Sequence, residues 1–130
     1  MKILSPDSIN KIEPPPEINT NRDIADIVIE DYLSNIPESF VQDEIVELLK
    51  NRKSFGLQKY GVALQAFNGR NPLNDAIQEK EDFIFYICQA IQEGLDVDDN
   101  LKDVYIQGMR DLEIIYMVLD TLTKDSIERR

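Results

Sequence analysis

The segment DNLKDVYIQGMRDLEIIYMVLDTLT, residues 99–123, decides the fold. Its apolar residues Leu101, Val104, Tyr105, Met109, Leu112, Ile115, Tyr116, Leu119 and Leu122 recur every three or four positions, the spacing that gathers side chains on one face of an α-helix. Working upstream, Asn71 is a suitable cap and Pro72 fits a first helical position, so a second helix is expected from Asn71 to about Gly94. Pro37 suits the start of another, with Phe40, Val41, Ile45, Leu48 and Leu49 as its buried stripe and a continuation through Arg52 toward Gly56. A shorter helix from about Asn21 to Leu33 carries Ile24, Ile27, Val28 and Tyr32 at helical spacing. Thr20 or Asn21 is its expected cap, with Asp23 in its first turn. Gly56, Gly61 and Gly69 mark residues 54–71 as the least regular part of the interior.

No segment alternates with a period of two, and no internal repeat is visible. The pattern predicts an all-α chain, a small antiparallel helical bundle formed by residues 21–130 as a single domain. Pro6 and the run Pro14-Pro15-Pro16 make residues 1–20 an extended Pro-rich arm. Ile3, Leu4, Ile9 and Ile12 could dock that arm on a neighbouring surface, an undocked tail being the equal alternative. Phe83, Phe85, Tyr86 and Ile87 project in several directions around one helix, which implies burial on more than one side and hence a homo-oligomer.

The chain has 130 residues, 42% of them hydrophobic and 30% charged, an ordinary composition for a folded domain. No apolar run is long enough to span a bilayer. Met1–Ser5 carries one lysine and a very short apolar stretch, which is no secretory-signal pattern. The single cysteine, Cys88, excludes an internal disulfide and a cysteine-rich zinc site. With no histidine, Ser-His-Asp and Cys-His catalysis and the usual His-ligated metal sites are excluded too. A reducing cytoplasm is the expected compartment.

The net charge of −11 argues against binding duplex nucleic acid. Yet the charge is uneven. Leu48 to Asn74 contains no Asp or Glu, while Lys50, Arg52, Lys53, Lys59 and Arg70 fall there. Acidic helices flank this stretch. Asp75, Glu79 and Asp82 follow at i, i+4 and i+7, one helical stripe, with Tyr86 a turn further. Upstream, Glu44 with Glu47, or Asp43 with Glu47, form a comparable pair. A solvated face explains either set most simply. Carboxylates on both sides of a basic stretch also suit Mg²⁺ and a phosphate chain, which needs cation bridging and direct Lys or Arg contacts. Lys59, Asn68 and Arg70 lie among glycines just before a helix start, a further phosphate-binding cue. Tyr60, Phe67 and Tyr86 are candidates to stack on a base, against the commoner role of core aromatics.

The elements Val41-Gln42-Asp43, Arg52, Phe55-Gly56, Lys59-Tyr60-Gly61, Leu64-Gln65-Ala66-Phe67-Asn68-Gly69-Arg70, Asp75-Ala76, Glu79, Asp82, Tyr86 and Gln89 resemble small phage and prophage proteins grouped with the MazG-like all-α nucleoside triphosphate pyrophosphohydrolases. The resemblance covers roughly residues 41–93. It implies Mg²⁺ held by Glu44, Glu47, Glu79 and Asp82, with Glu47, Glu79 and Asp82 as catalytic carboxylates. Asp43 with Glu47 is the geometric alternative for the first pair. It further implies nucleotide contacts from Arg52, Lys59, Tyr60, Asn68, Arg70 and Tyr86, and cleavage to a monophosphate and pyrophosphate. A non-hydrolytic nucleotide-sequestering protein is the main alternative. A helical interaction protein with merely solvated acidic faces is the third.

Overall fold

The structure is a computed structural model. It describes the backbone of residues 14–128 and the side chains of residues 14–124. Most of the expected arm, including Ile3, Leu4, Pro6, Ile9 and Ile12, lies outside the described residues. The described chain is all-α: α1 (Ile24–Asn35), α2 (Gln42–Tyr60), α3 (Pro72–Gln92), a 3-10 turn (Val97–Asp99) and α4 (Asn100–Glu128). Among the described residues there is no strand, and an isolated bridge pairs Asp23 with Gln65. No helix in this range is long and apolar enough to cross a membrane. The chain divides into two compact units, one within Glu13–Arg70 and one within Asn71–Arg130.

In the first unit α1 begins later than its spacing suggests. Asp23 is the cap, its carboxylate accepting from the Ala25 N–H at 2.8 Å. Asn21 is engaged elsewhere, donating its amide to Ala66 O. Pro37 does not open α2, which starts five residues later behind Val41, with Asp43 and Glu44 placing negative charge in its first turn. The expected stripe of α2 shifts as a result. Phe40 precedes the helix and is 95% exposed, and Val41 and Leu48 are exposed as well. Ile45, Val46, Leu49 and Lys53 form the half-buried side instead.

Helix α2 also runs further than expected. Gly56 lies in its interior, so residues 55–60 are helical rather than irregular. A mid-helix glycine costs about 1 kcal/mol relative to alanine, too little to end a helix already propagating. The stop is Gly61, whose φ of +74° lets its N–H reach Leu57 O at 2.8 Å. Lys50, Arg52, Lys53 and Lys59 therefore sit on one continuous helix. Lys53 ties α2 to α1, its ammonium 2.8 Å from Asp26 and 3.9 Å from Asp23.

In the second unit Asn71 caps α3 as expected, its side chain accepting from Leu73 N and Asn74 N at 3.0 and 3.3 Å, with Pro72 first in the helix. Gly94, at φ +80°, follows its end. The next start is held by Asp96, whose carboxylate accepts from Leu101 N at 2.7 Å and Lys102 N at 3.1 Å. Successive contacts run forward on α3 and backward on α4. Leu119 packs against Ile77, Asp111 lies 3.7 Å from Lys80, and Gly108 faces Ile84 and Phe83. The two helices are an antiparallel hairpin. Gly108 is buried at this contact, and a methyl group there would meet Ile84 and Phe83 at 3.4 Å, an ordinary packing distance.

Among the described residues Ile77, Ile84 and Leu119 are the buried large apolar ones, with Leu73, Leu112, Ile115 and Tyr116 packed around Ile77 and Leu119. The hairpin buries one side of each helix. Val104, Met109 and Leu122, expected inside, are exposed, and so are Phe83, Phe85 and Tyr86. Among the described residues, α4 covers one stripe of α3, and Phe83, Phe85 and Tyr86 lie outside it.

Candidate functional site

Residues 61–70 leave α2 and run back along residues 14–24. The attachment is almost wholly polar. Gln65 donates its amide to Asn19 O at 2.8 Å and Asn21 O at 2.6 Å, and accepts from Asn19 N at 3.0 Å. Asn19 returns two bonds from its own amide, to Ala66 O and Phe67 O. Glu17 N donates to Asn68 O, and Ile24 N to Leu64 O, both at 2.8 Å.

This frame displays Phe67 in an unusual way. The residue has φ +58°, the left-handed region that costs an L-residue with a bulky side chain, and its ring is 91% exposed. Burial does not hold it there. The hydrogen bonds from Asn19, Asn21 and Glu17 to the carbonyls of residues 66–68 do. An over-determined, strained position presenting a bare aromatic face is a common arrangement at ligand sites.

Asn68 and Arg70 form the base of this loop. Asn68 is buried, and its Oδ1 accepts from Arg70 N at 3.1 Å. Arg70 donates through Nη1 to Pro14 O at 2.9 Å. Gly69, at φ +86°, passes over the Glu17 carboxylate, where a Cβ would sit 3.2 Å from Cδ. Asn68 and Arg70 thus both have framework contacts.

The other predicted cations lie on α2. Arg52 stacks over Phe55 at 4.6 Å, and Lys59 sits over the Tyr60 ring at 5.2 Å, both at the exposed surface. Lys59 falls in the last turn, beside carbonyls at the negative end of the helix dipole.

Helices α1 and α2 border an open groove of about 550 Å³ lined by Ile29 and by the polar residues Arg22, Asp26, Glu30, Lys50, Lys53 and Ser54. Its volume is in the small-ligand range. The hydrogen bond that Lys53 donates to Asp26 raises its pKa above the ordinary value, and Glu30, 2.7 Å from Arg22, acts likewise on the guanidinium. Sequence reading saw Lys50 and Lys53 only as part of the basic stretch. Arg22 was missed because it comes from the approach to a different helix.

The acidic residues fall in two places. Glu44 and Glu47 are exposed on the first turns of α2, and Glu79, Asp82 and Tyr86 are exposed along α3, with Asp75 half-buried on the same stripe. Glu44, Glu47, Glu79 and Asp82 have no ion-pair partner among the described residues. Their hard oxygens suit Mg²⁺ by type. They occur as pairs, since among the described residues no three acidic or cysteine side chains form a group able to hold a metal ion. No protein-family model, no curated protein and no solved structure matches the chain.

Proposed function

We propose that this chain is a Mg²⁺-dependent nucleotide pyrophosphohydrolase of the MazG-like kind, acting in the cytoplasm as a helical homo-oligomer. The observation that carries the reading is the pairing of charge types. Two exposed acidic pairs, Glu44/Glu47 and Glu79/Asp82, have no counter-ion among the described residues, while Lys50, Arg52, Lys53, Lys59 and Arg70 fall on α2 and the loop after it. Like charges one helical turn apart repel, and a divalent cation relieves that repulsion. Each pair offers the hard oxygens that such an ion takes, and the ion when bound would lower the pKa of water and neutralise phosphate charge.

The chain's own groups supply the rest. Lys59, Arg52 and Arg70 offer donors to phosphate oxygens, and Phe67, Tyr60 and Tyr86 offer exposed rings to a base. A carboxylate not engaged with the ion takes the proton of the attacking water. Water adds at the α-phosphorus, the bond to the bridging oxygen breaks, and pyrophosphate leaves with that electron pair.

A second reading, binding without turnover, is favoured by one specific observation: the described carboxylates stand in pairs rather than in a group of three or more. Incubation with the common ribo- and deoxyribonucleoside triphosphates and Mg²⁺, scoring pyrophosphate, separates the two. Pyrophosphate release that disappears in Glu79→Gln supports the hydrolase. Saturable nucleotide binding without release establishes sequestration. Neither binding nor release refutes both.

A further inference from the structure

We propose that the tip where α1 turns into α2 is a docking surface for a cationic amphipathic helix of a partner protein. Leu33, Ile36, Phe40 and Val41 are exposed there by 50%, 52%, 95% and 38%. Leu48 continues the row along α2, two helical turns after Val41 on the same face, and is exposed as well. Folding does not account for these residues. The Phe40 ring is almost wholly in solvent, and Val41 holds the cap position of α2 without a side-chain cap bond. An apolar residue is among the least favourable at that position. Places that break a local rule with no packing gain are those expected to serve binding.

Charge selects the occupant. Every charged residue from Asp23 to Leu49 is acidic: Asp23, Asp26, Glu30, Asp31, Glu38, Asp43, Glu44 and Glu47. The cations that bound this stretch are engaged away from the tip. Arg22 pairs with Glu30, Lys53 pairs with Asp23 and Asp26, and Lys50 lines the groove beside Lys53. Asp31, Glu38, Asp43, Glu44 and Glu47 have no ion-pair partner among the described residues. The last turn of α1, at the negative end of its dipole, carries no basic residue either.

An apolar tip in an acidic field repels an anionic lipid surface, a nucleic acid and the same tip of a second copy. It fits a helix that presents apolar anchors along one face and lysines or arginines beside them, held by the anchors and steered by the charge. Asp31 and Glu38 stand outside the residues proposed to hold Mg²⁺, and docking here does not depend on the nucleotide reading.

Fluorescence anisotropy of the full chain with a labelled synthetic helix, leucines on one face and lysines on the other, tests it. Binding should saturate and weaken as salt rises. Phe40→Ser, at a position with almost no burial to lose, should weaken it roughly tenfold or more. Glu38→Lys should weaken it too, both variants keeping wild-type helicity by circular dichroism. Peptides with serine for leucine, or glutamate for lysine, should each bind at least roughly tenfold more weakly. Absence of binding by the leucine–lysine peptide overturns the proposal, as does equal affinity in wild type and Phe40→Ser. Equal affinity for the serine peptide also overturns it, since charge alone would then explain the binding. So does a wild-type dimer in sedimentation velocity that Phe40→Ser dissociates, or Phe40-dependent binding to anionic phospholipid vesicles, because the tip then has another occupant.

Discussion

Replacing Phe67 by glycine should move stability and ligand affinity in opposite directions. The residue sits at φ +58° with its ring 91% exposed, so removing the ring forfeits almost no burial. Holding a bulky L-residue in the left-handed region costs roughly 1–2 kcal/mol. Glycine removes that cost but adds unfolded-chain entropy worth about 0.4–1 kcal/mol. The net expectation is a stabilisation of about 0.5–1 kcal/mol, read by urea unfolding. Phe67→Asn should give the same sign, since asparagine tolerates this conformation. Both variants lose the stacking face. If a nucleobase rests on the ring, at about 1–3 kcal/mol per stacked base, the dissociation constant for a nucleoside triphosphate should rise roughly 5- to 150-fold. Binding of inorganic triphosphate should not change. Destabilisation by either variant would show that the ring does structural work, and unchanged nucleotide affinity would remove Phe67 from the site.

Gln65→Ala withdraws two donated bonds and one accepted bond, to Asn19 and Asn21, and should cost about 1–3 kcal/mol. Amide exchange at Asn19 and Ile24 should accelerate with it, whereas unchanged exchange would mean that other contacts pin the loop. The Lys53–Asp26 pair has an alkaline signature. The folded Lys53 pKa is raised from 10.5, chiefly by the hydrogen bond it donates to Asp26. Its contribution is therefore complete below the unfolded lysine value and is lost as pH rises through the folded one. Tyr105 moves the same way, raised by its hydrogen bond with Cys88, so the comparison must be internal. Thermal midpoints taken across 10.5 should fall more steeply for the wild type than for Asp26→Asn, and parallel curves would refute the coupling.

What the sequence settled was local. Asn71-Pro72 announces the start of α3, and the Leu101–Leu122 periodicity announces α4, because caps and periods act within a few residues of chain. Local reading failed where two signals compete nearby. Asp23 took the cap from Thr20 and Asn21, and α2 absorbed Gly56, leaving Lys59 and Tyr60 on a helix end rather than in a loop. The acidic pairs and the basic run were legible as charge patterns, which need no coordinates.

The rest required tertiary structure. Gln65 and Phe67 meet Asn19 across more than forty residues of chain, and no spacing rule encodes such a meeting. Which apolar residues end up covered is likewise decided by packing. Both sides of α4 look equally hydrophobic as text, but a single neighbouring helix can cover only one of them, and that leaves Ile114, Val118 and Leu122 facing outward.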